Sequence, residues 1–132
     1  MDPLFPSAQE YSAEQARCPV LTVVDIRSHQ RNIADRYRNE VLSNVNDHCL
    51  RLAVFEDEYR WHRHPDSDEL FLVVAGRLQI DLAGLDTVEL TEWQYLVVPA
   101  GTIHRTRAVG RTVNLTYERQ GAATVFVEGI DG

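Results

Sequence analysis

The segment Arg60-Trp61-His62-Arg63-His64-Pro65-Asp66-Ser67-Asp68-Glu69 constrains the fold of this chain more than any other. Histidines two residues apart share one face of a β-strand, where side chains alternate with a period of two, and diverge on a helix. Pro65 restricts His64 to extended backbone, and Tyr59 and Trp61 suit a strand. Residues 65–68 read as a turn by their Pro and Asp chemistry, returning the chain so that Glu69 opens a partner strand beside the imidazoles. An apolar run from Leu70 to Ala75 follows and is closed by Gly76. A further histidine, His104, ends Val98-Pro99-Ala100-Gly101-Thr102-Ile103-His104. His62, His64, Glu69 and His104 are therefore candidate metal ligands. Imidazole nitrogens with one hard carboxylate oxygen suit a single divalent transition metal: Fe(II), Mn(II), Ni(II), Co(II) or Zn(II).

The rest of the chain supports an all-β architecture. From Val41 onward, short strand-like runs alternate with turn signals, the pattern of a sandwich or barrel. Strands are expected at 49–55, 58–64, 69–74, 77–83, 87–90, 95–98, 104–108, 112–117 and 124–127. The strand over 77–82 alternates strictly between apolar and polar residues, which gives it one wet and one buried face, and it is expected to pair back through Ala75-Gly76. Residues 70–74 are apolar on both faces. Such a strand is covered by the barrel interior on one side and by another sheet or subunit on the other, which predicts a homodimer. Residues 1–39 read as an N-terminal arm with a short strand at 20–26 and one or two helical turns over 28–37 capped by Ser28. Residues 40–132 form the barrel domain, and no chemistry is assigned to the arm.

The two histidine segments resemble the two conserved motifs of the cupin superfamily. The pattern is His-x-His, four residues, Glu, six residues, Gly, and then Pro-x-Gly-x-x-His; it is matched at His62, His64, Glu69, Gly76, Pro99, Gly101 and His104. The leading glycines of the two motifs are replaced by Glu56 and Trp93, and the closing Asn of the second motif by Ala108. The first two are turn positions rather than ligands. The resemblance implies a double-stranded β-helix, the jelly-roll barrel that binds a metal inside its mouth with one or two coordination positions open. It also resembles small single-domain bacterial cupins of the mannose-6-phosphate isomerase-like type.

Composition narrows the functional classes. A net charge of −7 argues against a nucleic-acid partner, because there is no basic excess to neutralise phosphates. All 13 basic residues are arginine, which excludes a Schiff base or a lysine general base and leaves arginine to hold any anionic substrate. No apolar run approaches the ~18 residues of a membrane span, and no secretory leader pattern is visible, so a cytoplasmic protein with no membrane partner is expected. Cys18 and Cys49 fit neither a redox motif nor a disulfide scaffold. No catalytic-triad order or nucleotide-binding loop occurs.

Around the ligands, Arg60 shares a face with His62 and is a candidate clamp for a carboxylate or phosphate; the alternative is a rim salt bridge to Glu58 or Asp57. Thr106 shares a face with His104 and is a candidate substrate contact or a satisfied core hydroxyl. Asp66 and Asp68 serve the turn or orient a histidine. Trp61 alternates away from the metal, and His29 and His48 lie outside the motifs. The expectation is a small metal-dependent cupin enzyme acting on a small polar or anionic metabolite by oxygenase-type or isomerase-type chemistry, with Glu69 as ligand and general base. The alternatives are a non-catalytic metal- or ligand-binding cupin and a sugar-phosphate isomerase-like enzyme.

Overall fold

The alternating pattern folds into two antiparallel five-stranded sheets that face each other, as the computed structural model of the chain, which describes residues 5–130, establishes. The first sheet runs in the order β1 (Tyr37–Val45), β2 (His48–Phe55), β9 (Thr112–Arg119), β4 (Glu69–Ala75) and β7 (Tyr95–Val98). The second runs β10 (Val125–Phe126), β3 (His62–Arg63), β8 (His104–Ala108), β5 (Leu78–Leu82) and β6 (Val88–Leu90). Consecutive strands repeatedly switch sheets, as in a double-stranded β-helix. Among the described residues no helix is long and apolar enough to cross a membrane.

This switching corrects two expected pairings. β3 pairs with β8 and β10, and β4 with β9 and β7, so Glu69 is not on the strand next to the histidines. The 65–68 turn instead carries the chain across the barrel, and the carboxylate meets the imidazoles from the opposite sheet. Likewise β4 and β5 lie in different sheets, and the turn at Gly76 crosses between them. Gly76 is required there. Its φ is +87°, and a Cβ would sit 2.7 Å from the carbonyl oxygen of Arg111.

Three expected elements differ. The strand over 58–64 shrinks to His62–Arg63, with Glu58 making only an isolated bridge to Arg107. The β-branched stretch 20–26 is not a strand. Val20, Leu21 and Val23 are almost fully exposed, and a β-branched run with no partner strand gains nothing from its propensity. The helix of this region, α2 (Ile26–Arg31), starts earlier than expected, because the Asp25 side chain rather than Ser28 accepts the capping bond, from the Ser28 amide. It ends before Tyr37, which opens β1. A second helix in the arm, α1 (Ala8–Ala13), carries a capping box between Ser7 and Glu10, a signal present in the sequence as Ser-x-x-Glu.

Two apolar clusters hold the sheets. Inside the barrel, Phe71, Val73, Leu78, Ile80, Leu90 and Val98 form one core with Ala53 and Phe55. Val73, Leu78 and Ile80 have no exposed surface, and each contributes about 1.5–3 kcal/mol by burial. On the outer face of the first sheet, Leu42, Leu52, Val54, Val74 and Val113 are packed under Ile33, with Cys18 and Ile26 at the margin. Part of the second cover expected for the apolar strand β4 thus comes from the chain's own arm, while Leu70 and Leu72 stay half-buried.

Candidate metal centre

His62 and His104 are direct register partners on β3 and β8, which sets their rings 4.3 Å apart. His64 follows β3 on the same face, and Glu69 enters from β4. One ligand atom from each of the four residues lies within 4.8 Å of every other, and all four residues are buried. The sequence-derived ligand set is thus brought together at one point.

The histidines are oriented from behind. The Nδ1 of His62 contacts the Arg60 carbonyl at 2.8 Å, that of His104 the Thr102 carbonyl at 2.8 Å, and that of His64 the Ala123 carbonyl at 3.0 Å. A carbonyl only accepts, so each Nδ1 carries a proton, which leaves Nε2 as the nitrogen that faces the centre and can ligate an ion once unprotonated. Asp66 and Asp68 accept from the backbone amides of Ala123 and Ala100 and do not touch a histidine. Asp66 nevertheless fixes the residue whose carbonyl orients His64.

The electrostatics follow from burial and from the four neighbours. Burial drives the His62 imidazole down to about 3, and the adjacent His104 and His64 add to the fall. At His64 burial acts in the same sense but is outweighed by the charge of Glu69, whose Oε1 lies 3.2 Å from Nε2, and the group rises to about 9. Burial opposes the ionised form of Glu69, yet the charge of His64 and the contacts with His104 hold it well below the usual carboxylate range. Glu69 is thus a carboxylate available as a ligand.

These residues fit a divalent ion. Among the described residues, Glu69 Oε1 and His104 Nε2 are fully buried without a hydrogen-bond partner, a costly arrangement that a coordinated cation relieves. The donor set of imidazole nitrogens and one carboxylate suits the first-row metals from manganese to zinc.

The cavity beside His62, His64 and Glu69 is small, about 40 Å³, and is lined also by Tyr37, Asn39, Tyr59, Thr106, Asn114 and Thr116. Thr106 is therefore where the alternation places it, 8% exposed at the cavity wall. Arg60 is not. Its guanidinium stacks on Phe126 and lies 3.7 Å from Glu128 in a separate outer groove of about 860 Å³, which contains none of the four ligands. Tyr59 lines both spaces, and Phe5 packs edge-on against it, so an aromatic partition separates groove from cavity.

Sequence reasoning missed the buried network behind Glu69. Tyr11, on α1, stacks on His64 and donates its hydroxyl proton to Glu118 of β9, next in register to Glu69. The Arg51 guanidinium lies 3.6 Å from the Tyr11 ring centroid and donates to the Tyr11 carbonyl, to Glu14 and to Asn39. Burial, and then the charge of Glu69, push the Glu118 carboxyl up to about 8. The arm, to which no chemistry is assigned from sequence, thus closes one end of the site. The inward alternation of Asn114, Thr116 and Glu118 was visible as a strand pattern, but nothing in the sequence marks which face is inward.

The cupin domain family model matches residues 51–117, over half of the chain. The chain belongs to the cupin family. The Bacillus subtilis (strain 168) protein YdbB, itself uncharacterized, is 51% identical to this cupin over 96 residues, which span 73% of this chain and 85% of YdbB. A cupin-2 domain protein from Shewanella frigidimarina NCIMB 400 superposes with a TM-score of 0.69 at 27% identity, covering 74% of this chain and 94% of its own. The DMSP lyase DddQ of Ruegeria pomeroyi DSS-3 matches with a TM-score of 0.63 at 20% identity, over 75% of this cupin and 56% of the lyase. That last likeness is one of fold.

Proposed function

We propose that this cupin is a metal-dependent enzyme that converts a small polar or anionic metabolite inside its barrel, with the metal held by His62, His64, Glu69 and His104. The observation that carries this reading is the convergence on one buried point of three back-anchored imidazoles and an ionised carboxylate, whose Oε1 faces His64 and His104 without a hydrogen bond. A metal bound there supplies Lewis acidity or a centre for oxygen chemistry. The chain's own contributions are definite: carbonyls fix the imidazole tautomers, the aromatic partition excludes bulk water, and Glu69 offers an oxygen as ligand or as proton acceptor.

The size of the cavity argues against a sugar phosphate as substrate. About 40 Å³ is room for a few water-sized groups, and Arg60, the candidate phosphate clamp, faces the outer groove. A non-catalytic ligand-binding cupin remains the competing class, and turnover separates the two.

The test is metal analysis of protein purified without chelator, followed by assays of small acids with and without dioxygen. Stoichiometric metal with turnover that disappears in His62→Ala supports the proposal. Metal binding without turnover across the panel, with only ligand-dependent thermal stabilisation, moves the protein to the binding class. Turnover that persists in metal-free His62→Ala sinks the metal mechanism.

A further inference from the structure

One strand of the barrel interior is polar where a stable core has no use for polarity. On β9, Asn114 and Thr116 alternate inward at 2% and 3% exposure, and both line the cavity that His62, His64 and Glu69 border. Among the described residues, neither Asn114 Oδ1 nor Thr116 Oγ1 has a hydrogen-bond partner. Each unpartnered buried polar atom costs about 1–3 kcal/mol, whereas apolar residues of similar shape, such as Leu and Val, carry no such cost. Asn39, the nearby amide on β1, differs: its Oδ1 accepts from Arg51 and its Nδ2 donates to the Tyr37 hydroxyl. The unsatisfied pair therefore faces the cavity with capacity to spare.

Resting on the metal reading above, we propose that Asn114 and Thr116 are the recognition subsite for the ligand, and that the ligand is a short carboxylate carrying a hydroxyl or amino donor. Three features define that class. The cavity admits only a few heavy atoms beside the ion. Three neutral imidazoles and one carboxylate leave a divalent ion with one uncompensated positive charge in a buried site, so an anionic oxygen is favoured on the metal. Asn114 Oδ1 only accepts, so the far end of the ligand must donate an N–H or O–H. Such a molecule bridges from the metal on the β3 and β8 side to the polar stripe on β9. Ala53 and Phe71, which line the same cavity, pack against its carbon atoms.

The test compares two probes, acetate and glycolate, in titrations of the Mn(II)-loaded wild type and of the Asn114→Leu/Thr116→Val double variant. Both probes place a carboxylate on the metal, and only glycolate adds a donor. In the double variant the preference for glycolate over acetate should fall about tenfold, the worth of one to two good hydrogen bonds, with acetate affinity and metal stoichiometry unchanged. The ligand-free variant should melt at the same temperature as wild type or higher, because two unpartnered groups are gone. Thr116→Val alone, a near-isosteric change, should show part of the same fall and keeps the test open if the double variant does not fold. A glycolate preference that is unchanged, while metal is still bound, overturns the subsite and leaves the metal reading standing. Loss of metal from the variants assigns the stripe to structural support and also overturns the subsite. A wild type that binds no Mn(II) overturns the functional reading and this proposal together.

Discussion

The barrel interior is divided into two regions built on opposite rules. Toward β5, β6 and β7 the inward residues are apolar and close-packed, with Leu78, Ile80 and Val73 fully buried. Toward β3, β8 and β9 they are histidines, carboxylates, Asn114 and Thr116, several with unpartnered buried atoms. Both sets lie on the same strands: β8 carries His104 and Thr106 opposite Leu82 and Ile80 of β5, and β4 carries Glu69 two residues from Phe71. The fold can hold an energetically unfavourable polar end because the apolar end stabilises the strands that carry it. In such a molecule stability and binding can be damaged separately, and each of the following predictions tests that separation.

The largest effect is expected in the apolar region. Ile80→Ala removes a fully buried branched side chain and should cost about 2–5 kcal/mol of stability, read as a shift of the urea midpoint, while the surviving folded protein binds metal with wild-type stoichiometry. Parallel loss of metal affinity under folding conditions would mean that the two regions are one unit. In the polar region His104→Ala should weaken metal binding by more than the about 10–100-fold typical for loss of a ligand's supporting partner. Its cost to the metal-free protein should be smaller than that of Ile80→Ala, because the loss of the buried ring and of its Nδ1 bond to the Thr102 carbonyl is offset in part by removal of a buried Nε2 that had no hydrogen-bond partner.

A smaller effect is expected from pH. In the metal-free protein the His64 group stands at about 9, above its ordinary value of 6.5. A raised imidazole adds stability that is complete below the ordinary value and is lost as pH climbs through the raised one. Stability of the metal-free cupin should therefore fall between pH 6.5 and about 9, and Glu69→Gln, which removes the charge responsible, should flatten that slope. Metal changes the sign of the pH effect on occupancy, because the ion displaces the His64 proton, so metal affinity should rise over the same interval. Thermal melts and metal titrations at a series of pH values measure both. A slope that survives in Glu69→Gln above pH 8, beyond the raised Glu118 carboxyl at about 8, would detach the histidine from its carboxylate.

The polar region was the more legible in sequence. His62, His64, Glu69 and His104 were readable because metal ligation needs particular residue types, and a two-residue spacing on a strand fixes their common face. The strand alternation over 77–82 likewise showed the burial of Leu78 and Ile80, but it breaks at the end of the strand, where Asp81 is buried in ion pairs with Arg105 and Arg107 and Leu82 is only half-buried. What was not legible depends on the third dimension. The sheet switching at 65–68 and at Gly76 leaves the same turn signals as a hairpin, so Glu69 was expected on a neighbouring strand; for Arg60 the alternation left an inward clamp and a rim ion pair both open, and the structure has it in an outer contact with Glu128. Tyr11 and Glu118 lie 107 positions apart, and no local pattern announces a contact at that separation. The strand expected at 20–26 fails for the complementary reason, since its residues carry the propensity and the fold supplies no partner.

The smallest predicted effect lies at Trp93, one of the two positions where the motif's glycine is replaced. Trp93 adopts φ +67°, in the left-handed region, and its amide donates to the carbonyl of Val73 in the apolar core at 2.7 Å. The geometry that a glycine favours has thus been kept while the residue has changed, unlike Gly76, where contact with Arg111 leaves no room for a side chain. A bulky L-residue in this conformation costs about 1–2 kcal/mol. The indole is 61% exposed, so little packing offsets that cost. Trp93→Gly relieves the strain but adds unfolded-state freedom worth about 0.5–1 kcal/mol, for a net gain of about 0.5–1 kcal/mol and a melting temperature higher by roughly 2–4 °C. Metal affinity should not move, because the turn supports Val73 and touches none of the four ligands. A lower melting temperature would show that the indole makes a stabilising contact that outweighs its backbone strain, and a changed metal affinity would show that the apolar turn and the metal end are coupled through β4.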